Sequence, residues 1–238
     1  MKRLLAKIKN NRLLIVSVFI AFVAGSLSKC ITFSDLSQSY DRPLNNAQIA
    51  CNTMTGDALY SELASLWKSG DKECFLRAID ELQGRKDIET GVRTIREILS
   101  DTSAPLSKDD LSRITALNYF IPQVMRGFDG GDVSKYRQYL LDIVVGTTTR
   151  APVRSRAITV LGYYRDDADI ELFANIATSD KTNDSELAAS VFSLSDSCSA
   201  KAREALALVS DSRRLKDYEE KYSQKSALRR LIGECLNR

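Results

Sequence analysis

The chain has 238 residues, 44% of them hydrophobic and 27% charged, with only 4 Pro and 11 Gly, a balance that supports a folded core of one or two domains and not a disordered chain. It contains no histidine, which removes His-ligated zinc, Ser-His and Cys-His nucleophile systems and histidine acid–base catalysis together. The net charge of +3 is misleading: Lys2, Arg3, Lys7, Lys9 and Arg12 open the chain with no acid among them, so the remainder is about −2 and has no nucleic-acid footprint.

Leu13 to Leu27 follows this basic stretch and is uncharged. As a helix it spans roughly 22 Å, short of the ~30 Å hydrocarbon core, with Lys9, Arg12 and Lys29 placed to snorkel toward the interfaces. A buried core helix would not normally carry so one-sided a basic flank. The positive-inside rule keeps the N-terminus cytoplasmic and sends everything after Lys29 across the membrane. Residues 1–29 are therefore expected to be a single-pass anchor in the inner (cytoplasmic) membrane. The alternative is a signal sequence cleaved near Ala24, Gly25 and Ser26, with release into the periplasm. Cys30 suggests lipidation, but Lys29 stands where that processing needs a small residue. Residues 30–46, rich in Ser and containing Pro43, read as a tether.

Cys51, Cys74, Cys198 and Cys235 are disulfide candidates in an exported chain. Four cysteines allow three connectivities. Cys51–Cys74 and Cys198–Cys235 are favoured because each pair lies within one end of the chain, and each bridge would contribute roughly 3–4 kcal/mol. The competing reading is four small buried apolar side chains. No C-x-x-C spacing points to a redox or metal site.

Residues 47–238 are expected to be all-α. D-A-L-Y-S-E-L-A-S-L-W-K puts Leu59, Leu63, Leu66 and Trp67 on one face and ends at Ser69-Gly70. The next segment turns Phe75, Ala78, Ile79 and Leu82 inward and stops at Gly84. Ile88, Val92, Ile95 and Leu99 form a third stripe. Ser107 is the expected cap of a helix that Pro122 should kink or end. Asp132 is expected to cap a segment running to Val145. Pro152 suits the first turn of the following helix. Leu215, Tyr218, Tyr222, Leu228, Leu231 and Ile232 mark a charged, polar-faced capping segment over 211–237, as one long helix or two.

Superposing Ala157 on Ala188 places Leu161 on Phe192, a repeat of about 31 residues. Val153-Arg154, Ala157, Leu161-Gly162, Asp167, Asp169, Phe173, Ile176-Ala177, Ser179-Asp180 and Ala188 to Leu194 resemble HEAT repeats, the PBS-lyase-like variety included. The resemblance is good over residues 150–209 and weaker back to Leu111. It implies an α-solenoid of short antiparallel helix pairs with a HEAT-like core over 107–210, and it brings no catalytic residues with it.

Several clusters suggest sites. Asp166, Asp167, Asp169 and Glu171 lack the glycine and distal Glu of a calcium loop, so they read as a turn with helix caps; Asp129-Gly130-Gly131-Asp132 reads the same way. Arg213-Arg214, Lys221, Lys225 and Arg229-Arg230 are diluted by Asp217, Glu219, Glu220 and Glu234. Asn183-Asp184-Ser185 is a chance glycosylation sequon. Carboxylate-pair hydrolysis through Glu62, Glu73, Asp80 or Glu81 is the one chemistry left open without histidine. No catalytic residue, cofactor or metal is expected. The expectation is a binding module: a membrane-tethered scaffold or adaptor whose partner is another cell-envelope protein, with no nucleic acid and no small-molecule substrate. The alternatives are an accessory envelope enzyme, such as a carboxylate-dependent hydrolase, and a soluble scaffold.

Overall fold

The computed structural model describes residues 58–146, 148–222 and 227–238, all within a unit that begins at Ala50. Among the described residues there are eleven α-helices, three 3₁₀ turns and no strand. The helices are α1 (Ala58–Ser69), α2 (Lys72–Gln83), α3 (Ile88–Ser100), α4 (Asp110–Met125), α5 (Arg137–Val145), α6 (Ala151–Gly162), α7 (Ile170–Thr178), α8 (Asp184–Ser197), α9 (Ala200–Asp211), α10 (Arg213–Tyr222) and α11 (Ala227–Leu236). The leader, the tether, Cys30 and Cys51 lie outside the described residues. No described helix is long and apolar enough to cross a membrane.

The helix ends follow local chemistry. Gly70 (φ +84°) closes α1 in a left-handed conformation that costs glycine little. Asp71, Asp87 and Ser199 each accept a backbone N–H in the first turn of α2, α3 and α9. Asn183 and Glu186 form a reciprocal capping box at the start of α8. The expected cap of α4 needs correction. Asp109 holds that position and accepts from Ser112 N at 2.9 Å, while Ser107 sits in a preceding 3₁₀ turn (Pro105–Lys108) and donates to the Thr102 and Ala104 carbonyls. Pro122 does not end α4, which runs on to Met125. So near the C-terminus, the hydrogen bond that proline removes is one of few left to lose. Among the described residues the C-terminal segment holds two helices, α10 and α11.

These helices pack in two rows. One row runs α2, α4, α6, α8, α11, each helix against the next; α1 packs on α3 and α7 on α9 in the other row. Across the rows α1 meets α2, α3 meets α4, α5 meets α6, α7 meets α8, and α9 meets α8 and α11. The stripes read from sequence are the buried ones: Leu59, Leu63, Phe75, Ile79, Leu82 and Ile95 are wholly enclosed. At roughly 25 cal/mol per Å², fully burying one such side chain contributes about 1.5–3 kcal/mol. The order continues upstream of Leu111, where the repeat pattern in the sequence fades.

The stacking has a fixed step. Tyr164 Oη donates to the Val133 carbonyl, 31 residues back. Arg137 reaches Asp169 and Arg154 reaches Glu186, each 32 residues on. Arg165 reaches Asp196 at a separation of 31, and Ser199 reaches Asp167 at 32. Gly162 and Ser193 are equivalent when the repeat is superposed, and they meet where α6 crosses α8: a Cβ built on Gly162 would stand 2.5 Å from the Ser193 Cβ. Their neighbours in the superposition differ. Leu161 is fully buried, whereas Phe192 is 39% exposed.

Gly162→Ala is expected to force α6 and α8 apart and cost about 1–3 kcal/mol. A thermal melt followed by circular dichroism should fall by several degrees, with helix content unchanged below the transition.

Candidate functional site

The acidic turn between α6 and α7 joins one helix pair to the next. Asp166 caps the Ala168 N–H at 2.9 Å and takes Arg137 at 3.0 Å. Asp169 is 3% exposed and binds the same guanidinium at 2.6 Å. Burial raises its carboxyl above the ordinary range, and Arg137 pulls it part of the way back. Asp167 accepts from Ser199 Oγ at 2.7 Å. Three of the four acids are thus spent on caps and on neighbouring units, while Glu171 faces solvent. Among the described residues no group of acids and cysteines could hold a metal ion.

The Asp129–Asp132 stretch is likewise a turn. Asp132 accepts from Ser134 N at 2.8 Å, Gly131 has φ +76°, and a Cβ on Gly130 would collide with Phe120 and Val124. The Asn183 side chain of the sequon is engaged as a helix cap.

The basic residues near the C-terminus face partners of their own. Asp184, at the start of α8, accepts from Arg214 (2.6 Å), Lys221 (2.5 Å) and Tyr222 (2.9 Å), tying α10 down. Burial would raise its carboxyl, but hydrogen bonds from Lys221, Arg214 and Tyr222 outweigh this and hold it at about 2. Arg229 pairs with Glu219 at 2.8 Å, Arg213 with Asp217 at 3.6 Å and Arg230 with Glu234 at 3.6 Å. Lys225 lies outside the described residues. What remains is a charge-balanced surface, poorly suited to a polyanion.

Cys198 and Cys235 are joined by a disulfide, with Cα atoms 5.6 Å apart, pinning α11 to the end of α8. Cys198 is the left-handed C-cap of α8 (φ +44°). Cys74 of α2 is also disulfide-bonded. Its expected partner, Cys51, lies outside the described residues.

Of the carboxylates weighed for hydrolysis, Glu73 pairs with Arg77 at 3.1 Å on the surface of α2. Asp80 has a different setting. Part of it meets solvent, yet surrounding atoms strip enough water from the carboxyl to raise it, against the opposing pull of Arg156 on α6. Burial lowers Arg156 below its ordinary value, with Asp80 opposing, and its guanidinium donates to Thr115 Oγ1 of α4 at 2.5 Å. Asp80, Thr115 and Arg156 thus come together from three successive helices of one row. Sequence reading singled out Asp80 alone, because the three residues share no local pattern. The acids with raised pKa, Asp80 and Asp169, each work against an arginine, which is not the setting of two carboxyls sharing a substrate bond.

No family model matches the chain, and no curated protein or solved structure matches it either.

Two outcomes follow from these contacts. The folded chain holds the Asp184 carboxyl below the ordinary value of 3.8, so its stabilisation is present above that value and is lost as pH falls through about 2. Asp184→Ala should melt below the parent chain at pH 7, with the gap closing in melts run toward pH 2. Cys198→Ser with Cys235→Ser opens a closure of 37 residues and should cost ~3–4 kcal/mol, read as a lower melting temperature. An unchanged melt would deny the bridge its stabilising part.

Proposed function

We propose that the chain is an exported, membrane-tethered α-solenoid of HEAT-like helix pairs that acts as an interaction scaffold in the cell envelope, working by binding another envelope protein and not by catalysis. The observation that carries this reading is the fixed step of the stack. Hydrogen bonds recur between residues 31 or 32 apart, and one equivalent pair, Gly162 and Ser193, packs directly together. Helix pairs stacked at a constant step give each unit contacts with its neighbours alone and produce a long side-chain face, the property repeat arrays use for partners.

The placement in the envelope rests on the basic start and apolar run of residues 1–29 and is supported by the disulfide between Cys198 and Cys235, since such bonds persist in oxidising compartments. A tether confines the search for a partner to the membrane plane and raises effective concentration. Among the acids of the turns and helix starts, Asp166, Asp169 and Asp184 are each held by arginine or lysine, which favours binding over hydrolysis.

The test has two arms. Alkaline phosphatase fused after residue 45 should be active, and an inactive fusion overturns export. Membrane-extracted chain carrying a purification tag should bring down the same envelope protein in stable proportion from independent preparations. Recovery of the chain alone would count against a scaffold.

A further inference from the structure

α10 is the least enclosed of the described helices. Of its ten residues only Leu215 and Tyr218 are buried, against four on α9 and eight on α8. It packs on α7 and α9 without a place in either row. Burial of apolar side chains therefore holds it less firmly than the helices it lies on.

Polar groups supply the rest of the hold, and they converge. Arg214, Tyr218, Lys221 and Tyr222 are spaced by three and four residues, so they share the side of α10 that also carries Leu215. Arg214, Lys221 and Tyr222 all donate to the Asp184 carboxylate, at 2.6, 2.5 and 2.9 Å, and Arg214 donates to the Thr182 carbonyl as well. Asp184 is the first residue of α8, where the helix N-terminus favours a negative charge. One carboxylate on a well-buried helix thus gathers three donors of a poorly buried one.

Both flanks of α10 are secured without it. On one side Ser212 alone separates it from α9, and the Ser212 hydroxyl caps the Leu215 N–H at 3.2 Å. On the other side α11 is bonded to α8 through Cys198 and Cys235, and Arg229 of α11 donates to Ser210 Oγ at the end of α9. A segment that buries little apolar surface between firmly held neighbours opens locally at a lower free energy than they do.

The structure assigns α10 the role of a strap that lifts off α7 and α9 ahead of any unfolding of the stack, fastened by Asp184 and retained at both ends, with the disulfide keeping α11 in place while the strap is open. Lifting bares the side of α7 and α9 that α10 covers. The array then carries one movable element on an otherwise fixed frame, whatever the frame binds.

Hydrogen exchange of the full chain in detergent micelles, followed by mass spectrometry across a series of low urea concentrations, reads this motion. In the parent chain the α10 amides should exchange about tenfold faster, or more, than those of α8 and α11. Their rate should hardly depend on urea, because lifting exposes little surface. Asp184→Asn should speed α10 exchange about tenfold. Lys221→Gln with Tyr222→Phe, which alters exposed side chains of the strap and leaves α8 untouched, should do the same and decides the matter if Asp184→Asn fails to fold. Glu73→Gln, which breaks an exposed pair on α2, should leave α10 exchange unchanged. The strap is overturned if α10 exchanges as slowly as α8, or if its exchange climbs with urea as steeply as that of α8. It is also overturned if Lys221→Gln with Tyr222→Phe leaves its rate as it was, if Glu73→Gln speeds it equally, or if α11 exchanges as fast as α10 with the disulfide intact.

Discussion

The close crossing of α6 over α8 at Gly162 and Ser193 is the constraint on which the rest of the architecture depends. A helix with an apolar stripe and no sheet to lie on buries that stripe on another helix, and the closeness of the approach is set by the smallest side chains at the crossing. Here a glycine meets a serine whose hydroxyl donates back to the Ile158 and Ala189 carbonyls, so the backbones approach without stranding a polar group. Ala157, Ala188 and Ala189 on the same two helices are small and buried as well. With this spacing set, the side chains in the turns fall within reach of their counterparts one unit away. Arg137, Arg154, Arg165 and Ser199 then tie successive units together at their ends.

The polar ties and the apolar seam differ in kind. The seam excludes water and supplies most of the cohesion. The ties decide register: Asp169 is buried, and without Arg137 it would be left as an uncompensated charge, so a stack slipped out of step would carry a large penalty. The exposed pairs, such as Arg77 with Glu73, contribute little by comparison. Charged side chains are thus used sparingly in the interior, where they discriminate between alternative stackings.

Much of the helical order was legible in the sequence because it is written locally. The stripe Leu59, Leu63, Leu66, Trp67 and its stop at Gly70 lie within a dozen residues, and so does the run that closes at Gly84. The Ala157–Ala188 superposition located the crossing that matters. Two local signals were ambiguous. Ser107 and Asp109 are both good caps two residues apart, and the turn at Pro105 decided for Asp109. Pro122 is a strong breaker only where a helix has more turns to build. The grouping of Asp80, Thr115 and Arg156 was not legible at all. They are tens of residues apart, each an ordinary polar residue in its own helix, and only the row brings them together. The turn acids were recognised as capping residues, but their arginine partners a unit away carry no sequence signature.

The side-chain bonds described above reach no further than 41 residues along the chain. Distant parts of such a polypeptide are coupled only by relay, much like links in a chain hoist. Pulled from its two extremities, it would lengthen by surrendering one link after another, each relaxing a small, similar amount of slack.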